Sequence, residues 1–279
     1  MLEHYGPQGS YLHCSAIVWP AAEALRARGS ADFSTGATVT ELGAGTGWFG
    51  LCLARSRPDL VIWVTETAES GALARLRSNM TGAADKLLSG VAPRVAELDW
   101  RDFLREDSDA PPRSAPLQSC DWVVGSDLVY SEGGAAALCA VLGKALRRRP
   151  TAPRCLIAHT CERFGFADEA LLRELRVQRL RAVPLSGDIE TDPAAQTRQR
   201  VVVFGISPVE ARALDQGGVG NCAGESAATP GGTVDALAES VLLRSRRAWD
   251  HYLASLSSEE REEIELGQAM ARMMEEGLA

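Results

Sequence analysis

The chain has no run of about 18 apolar residues, so no membrane-spanning helix is expected. Its first 19 residues carry no basic segment leading into an apolar one, so a secretory leader is not expected either. The seven cysteines, at 14, 52, 120, 139, 155, 161 and 222, are an odd number and form no C-x-x-C pair. They read as reduced thiols of a cytoplasmic protein, not as a disulfide framework. The four histidines, at 4, 13, 159 and 251, are scattered, and no metal site is expected. Clustered positive charge is also scarce. Lys and Arg total 29 against 37 Asp and Glu, a formal charge of −8. The short basic runs at 147–149 and 244–247 read as solvated helix ends. Nucleic acid, which is held by clustered cations, is therefore not an expected partner.

What is present is a chain of 279 residues, 46% hydrophobic. That is enough for one large domain with an appendage. Short β-branched or apolar runs at 37–42, 60–66, 93–100, 120–130, 154–160 and 198–206 read as strands. Helix-like runs begin at 48 and occupy 69–80, 133–149 and 168–180. Strands alternating with helices predict an α/β fold with a mostly parallel sheet covered on both faces. Ligands of such sheets bind beyond the carboxyl ends of the strands, at the switch point of the strand order. That places residues 43–47, 66, 99–100 and 126–130 on one rim.

After residue 206 the composition changes. Residues 1–206 read as the domain, 207–233 as a glycine-rich flexible linker, and 234–279 as a helical extension. Ser257 and Glu260 have capping-box spacing at the start of a last helix. The extension either packs on the domain or docks a partner. The turn-rich loop 105–119 reads as mobile.

The most informative stretch is VTELGAGTGWFGLCLA, residues 39–54. Gly43, Gly45 and Gly47 alternate, and Gly50 follows. Glycine tolerates positive φ and close approach to its backbone. A strand, a glycine turn and a helix N-terminus together make a nucleotide cradle. Gly45-x-Gly47-x-x-Gly50 formally fits a dinucleotide fingerprint. Glu41, at the strand end, can instead help receive the cationic part of a zwitterionic nucleoside. Glu66, about 20 residues on, can accept two ribose hydroxyls, a feature both nucleotide readings share. Asp99 and Trp100 end the third strand candidate, and Trp100 offers a flat apolar face to a base.

The string Glu41-Leu-Gly-Ala-Gly-Thr-Gly47 resembles motif I of the seven-strand S-adenosyl-L-methionine-dependent methyltransferases. Together with AIVWPAAEALRARG (16–29), LDW (98–100) and VVGSDLVY (123–130), it resembles the family 16 protein methyltransferases, mostly lysine methyltransferases. Their hallmark is Asp-x-x-Tyr after the fourth strand, here Asp127-Leu-Val-Tyr130. The resemblance spans residues 5–206. It implies a Rossmann-like seven-strand sheet, mostly parallel with an antiparallel late strand. It implies S-adenosyl-L-methionine as cofactor, with Trp19 beside it and Gly43, Ala44, Gly45 and Gly47 lining it. Glu66 would hold the ribose, where most relatives have Asp. Trp100 would border the base, and Ser126 would touch the cofactor through its backbone.

Asp127 and Tyr130 are the catalytic candidates. A free lysine amine titrates near 10.4, so desolvation must favour its neutral form. Asp127 and Tyr130 would hydrogen-bond and orient it, with Asp127 a positioning residue and not a nucleophile. A protein substrate is implied, with translation factors and chaperones as candidate classes, and a small-molecule acceptor stays open. A monomer is expected. Two rivals remain: an inactive methyltransferase fold serving as an interaction module, and an NAD-type oxidoreductase using His159.

Overall fold

The computed structural model describes residues 20–29, 32–84, 92–104, 115–147, 153–161, 165–185, 189–191 and 199–209. Trp19, nearly all of the 207–233 linker and the whole 234–279 extension lie outside them.

Among the described residues eight strands form one sheet in the order β3-β2-β1-β4-β5-β8-β6, with the short β7 on β8. The strands are β1 (Thr38–Leu42), β2 (Val61–Glu66), β3 (Arg94–Glu97), β4 (Trp122–Ser126), β5 (Arg154–Cys161), β6 (Leu180–Pro184), β7 (Ile189–Thr191) and β8 (Gln199–Pro208). The helices are α1 (Pro20–Gly29), α2 (Trp48–Ser56), α3 (Ala72–Ala84), α4 (Ala115–Gln118), α5 (Glu132–Arg147) and α6 (Gly165–Val177). Pairing is parallel from β3 through β5. It is antiparallel where β8 enters between β5 and β6. This is the mostly parallel α/β sheet with an antiparallel late strand that the sequence predicts.

Side-chain alternation along the strands sorts the core into two layers. Val39, Ile62, Val64, Val124, Leu156 and Val203 pack under α1, α2 and α3 with Leu25, Phe49, Leu53 and Leu76. Leu42, Val123, Ile157, Val202 and Phe204 pack under α5 and α6 with Leu138, Leu142, Leu171 and Leu175. The buried thiols Cys120, Cys139, Cys155 and Cys161 belong to this second layer. Burial pushes Cys139 up to about 12 and Cys155 higher still. All four are packing groups, and Cys139 and Cys155 are held as thiols.

Two expected boundaries move. The helix expected to run to 180 stops at Val177. Arg179 turns left-handed there at φ 48°, and its N–H closes on Arg176 O at 2.9 Å. The chain then re-enters the sheet as β6, a strand the sequence reading misses. Leu180 and Ala182 are the buried alternates, and the arginines at 179 and 181 hide that short pattern inside a helical one. The strand expected over 93–100 ends at Glu97. Asp99 caps a 3₁₀ turn, Trp100–Phe103, by accepting from Arg101 N.

One buried polar pair ties the second layer. His159 Nε2 on β5 lies 2.6 Å from Asp168 Oδ1 in the first turn of α6, and both side chains are almost fully enclosed. Asp168→Ala is expected to destabilise the fold by about 3 kcal/mol, the usual cost of removing one member of a buried pair. Urea unfolding would read it as a lower midpoint at unchanged slope.

Candidate active site

The strand order reverses between β1 and β4, which run parallel side by side. The exits of β1, β2, β3 and β4 therefore line one rim beside a crevice. The glycine turn after β1, Glu66 at the end of β2, Asp99 and Trp100 after β3, and Ser126 through Tyr130 after β4 all stand there.

Gly43, Gly45 and Gly47 take positive φ of 56°, 55° and 77°. An L-residue pays for this region sterically, so glycine is favoured at all three. What an added side chain would meet at two of them is protein. A Cβ on Gly43 would lie 2.9 Å from Leu128 Cδ2 and 3.2 Å from Trp100 Cζ2. One on Gly47 would lie 2.2 Å from Met80 Cε and 2.7 Å from Leu76 Cδ1. Gly50 has Val64 Cγ1 at 2.4 Å from the same position. Gly47 is buried, with its Cβ direction filled by α3. Gly50 seats α2 on β2. Ala44 is buried, and its N–H reaches Thr65 O at 2.9 Å.

Gly45 is half-buried on the rim. Its N–H donates to Glu66 Oε2 at 3.0 Å, and Thr67 N–H donates to Oε1 at 3.0 Å. One bond to each oxygen fixes the carboxylate and leaves acceptor capacity on both. Burial raises the Glu66 pKa, and the Gly45 and Thr67 N–H groups oppose that. Trp100 is half-buried with its ring edge on Gly43. Asp99 is engaged by Arg101 as well as capping its turn.

Glu41 is sealed beneath the loop at 3% exposure. Its Oε2 accepts from Gly50 N at 3.1 Å. Burial pushes its pKa up to about 8, and the nearby Glu66 adds to the rise. Its visible task is to hold the start of α2. In the unfolded chain it titrates near 4.5, so between these values the folded state holds the extra proton. Stability contributed by the neutral carboxyl is complete below about 4.5 and is lost as pH rises toward about 8. The slope is at most about 1.4 kcal/mol per pH unit. Glu41→Gln is expected to flatten that decline. Urea unfolding of both proteins across the range would test it, and parallel pH profiles would contradict it.

After β4 the backbone turns left-handed at Asp127, φ 50°. Asp is among the few residues that accept this conformation. Asp127 is 4% exposed. Its Oδ1 accepts from Thr160 N at 2.7 Å and its Oδ2 from Thr160 Oγ1 at 2.8 Å, while its own N–H donates to Ala158 O at 2.9 Å. Both oxygens brace the β4 exit onto β5. Thr160 is the residue that sequence reasoning missed, since nothing local to 154–160 marks it as Asp127's partner. Ser126 and Tyr130 are half-buried at either end of this braced turn.

His159, which a dehydrogenase would need at the rim, is 3% exposed and bonded to Asp168 in the layer under α6. Among the described residues no three of His, Cys, Asp and Glu gather as a metal-ligand set. No helix among them is long and apolar enough to cross a membrane.

Comparison with known proteins gives the following. No curated protein matches the chain in sequence. Solved structures similar to it include the Pyrococcus horikoshii protein PH0793, at 14% identity and TM-score 0.42, where 69% of this chain covers 66% of that one. The B. subtilis tRNA methyltransferase TrmK shares 9% identity at TM-score 0.47, over 94% of this chain and 99% of that one. The glycopeptide N-methyltransferase MtfA complexed with sinefungin shares 12% at TM-score 0.46, over 68% and 94%. Residues 8–174 match the family described as lysine methyltransferase. That stretch runs from before α1 into α6 and takes in the glycine turn, Glu66, Trp100 and the Asp127–Tyr130 turn; the chain belongs to the lysine methyltransferase family.

Proposed function

We propose that this protein is an S-adenosyl-L-methionine-dependent methyltransferase acting on a lysine side-chain amine of a protein substrate. The observation that carries the reading is the Glu66 carboxylate, fixed by the Gly45 and Thr67 N–H groups on the rim that Trp100 borders. Residues 43–48 contain no cation, and Glu66 is the ionisable group open at the turn, Glu41 being sealed beneath it. A cationic nucleoside with a free ribose fits this donor and acceptor set.

Glu66 would hold the ribose hydroxyls, Trp100 would border the base, and Gly43 to Gly45 would line the rest. Ser126 and Trp19 complete the assignment by the family resemblance. Bound there, the cofactor supplies an electrophilic methyl on sulfur. The chain's own residues must then present an uncharged amine in line with it. The buried walls of the β4 exit, Leu128 and Val129, lower the local dielectric and so favour the neutral amine. Asp127, held by Thr160, fixes the turn, and Tyr130 at its end offers a hydroxyl to orient the nitrogen. Such placement is itself a large rate factor.

The test is incubation with isotopically labelled S-adenosyl-L-methionine and a cell lysate, with mass spectrometry of the labelled bands. Label on lysine of one or a few proteins is expected. Label on another side chain or only on small molecules would overturn the substrate assignment.

A further inference from the structure

Arg101 has no part in the scheme above, yet it links the two lips of the nucleoside site. It is the second residue of the 3₁₀ turn that carries Trp100. Its Nε lies 3.0 Å from Asp99 Oδ1 and its Nη2 2.7 Å from Asp99 Oδ2. The same Nη2 lies 2.7 Å from Glu69 Oε1. Asp99 Oδ1 also accepts from Arg101 N at 2.9 Å, so the fork is locked onto its own turn. Glu69 belongs to the other lip, three residues beyond Glu66. β2 and β3 pair over only four registers, ending at Glu66↔Glu97, followed by Leu98 N to Glu66 O at 3.0 Å. Beyond that point the guanidinium spans the gap between the exits.

We infer that Arg101 is a positioning residue for nucleoside binding, a clasp that holds the Trp100 turn at a set distance from the Glu66 loop. The inference rests on the cofactor reading above. Exposed pairs are individually weak, but the bidentate hold on Asp99 pre-sets the guanidinium on its own turn, so its single bond to Glu69 crosses the gap with little further ordering. A lysine cannot reproduce the fork, because its ammonium is a single point charge on a flexible stem. The clasp is partly open to solvent, with Arg101 57% and Glu69 64% exposed, so salt should loosen it.

The experiment is calorimetry with S-adenosylhomocysteine, which lacks the sulfonium charge and so reports geometry without the electrostatic offset of removing a cation. Arg101→Ala and Arg101→Lys are each expected to weaken binding about 5-fold, the size of a well-oriented exposed pair. The wild type should lose that advantage between about 0.05 and 0.5 M salt, and the variants should not. Glu69→Gln in the Arg101→Ala background should add nothing, which separates a clasp from two independent charges. Thermal midpoints should stay within about 2 °C, as for most surface changes. Wild-type affinity in Arg101→Ala, or full rescue by lysine, would overturn the clasp while leaving the cofactor reading intact. A wild type that binds no S-adenosylhomocysteine would overturn both.

Discussion

Gly45→Arg is expected to abolish S-adenosylhomocysteine binding, a loss of at least about 100-fold or 2.7 kcal/mol, in a protein that still folds. The reasons are local. Gly45 sits at φ 55°, where an L-residue costs about 1–2 kcal/mol. Its N–H is one of the two that aim the Glu66 carboxylate. Gly45 is half-buried on the rim, so a long side chain there enters the crevice. The neighbouring position supplies the control. Gly47→Ala puts a Cβ 2.2 Å from Met80 Cε and 2.7 Å from Leu76 Cδ1, inside the core. It should cost about 1–3 kcal/mol of stability by overpacking, and affect binding mainly through that loss. Calorimetry and urea unfolding on both variants separate the two roles. Undiminished affinity in Gly45→Arg would remove the turn from the cofactor site.

The second large effect concerns the braced turn. Asp127→Asn and Thr160→Val are both expected to lower turnover by about 10- to 100-fold, the usual cost of a small misplacement of reacting groups. Affinity for S-adenosylhomocysteine should stay near the wild-type value. Asn keeps the left-handed backbone accessible but removes the charge and reverses the bond to Thr160 Oγ1, which must then accept and send its own proton elsewhere. Valine removes the Oγ1 that lies 2.8 Å from Asp127 Oδ2. Asp127→Ala should be worse. It strands the Thr160 N–H and hydroxyl in a buried place, at about 1–3 kcal/mol for such a group, and disfavours the φ of 50° as well. The readout is the initial rate of label transfer to whichever lysate protein the wild type marks, with binding measured separately. Thr160→Val at full turnover beside a crippled Asp127→Asn would mean that Asp127 touches the acceptor directly and does not act through the brace.

Much of this site is legible in the residues themselves. A β-branched run followed by alternating glycines announces a strand, a left-handed turn and a helix. The protein has Thr38–Leu42, three positive φ values and Trp48–Ser56 in that order. Acids and aromatics at strand ends announce a rim, and the parallel pairing of β1, β2, β3 and β4 puts them on one. What each of these residues touches is not legible. Gly47 and Gly50 look identical to Gly45 in the string. Leu76, Met80 and Val64, which crowd the first two, lie 14 to 33 residues away. Nor is it legible that Asp127 leans on Thr160, 33 residues on. β6 is missed, its first residue taken as the last of a helix, since a pattern of five residues is too short to stand out from its flanks.

The sequence alone determined the alternation of elements, the left-handed turn and the family. These depend on backbone sterics and hydrophobic period, and both act over a few neighbouring residues. Only the tertiary structure decided which carboxylate is open and which is committed. Glu66 is held by two N–H groups with lone pairs to spare. Glu41 is shut under α2 at 3% exposure, and Asp127, bonded through both oxygens to Thr160, is 4% exposed, whereas Glu66 is half-buried. A carboxylate's pKa and availability are set by burial and donors brought from distant segments, and long-range packing alone supplies those.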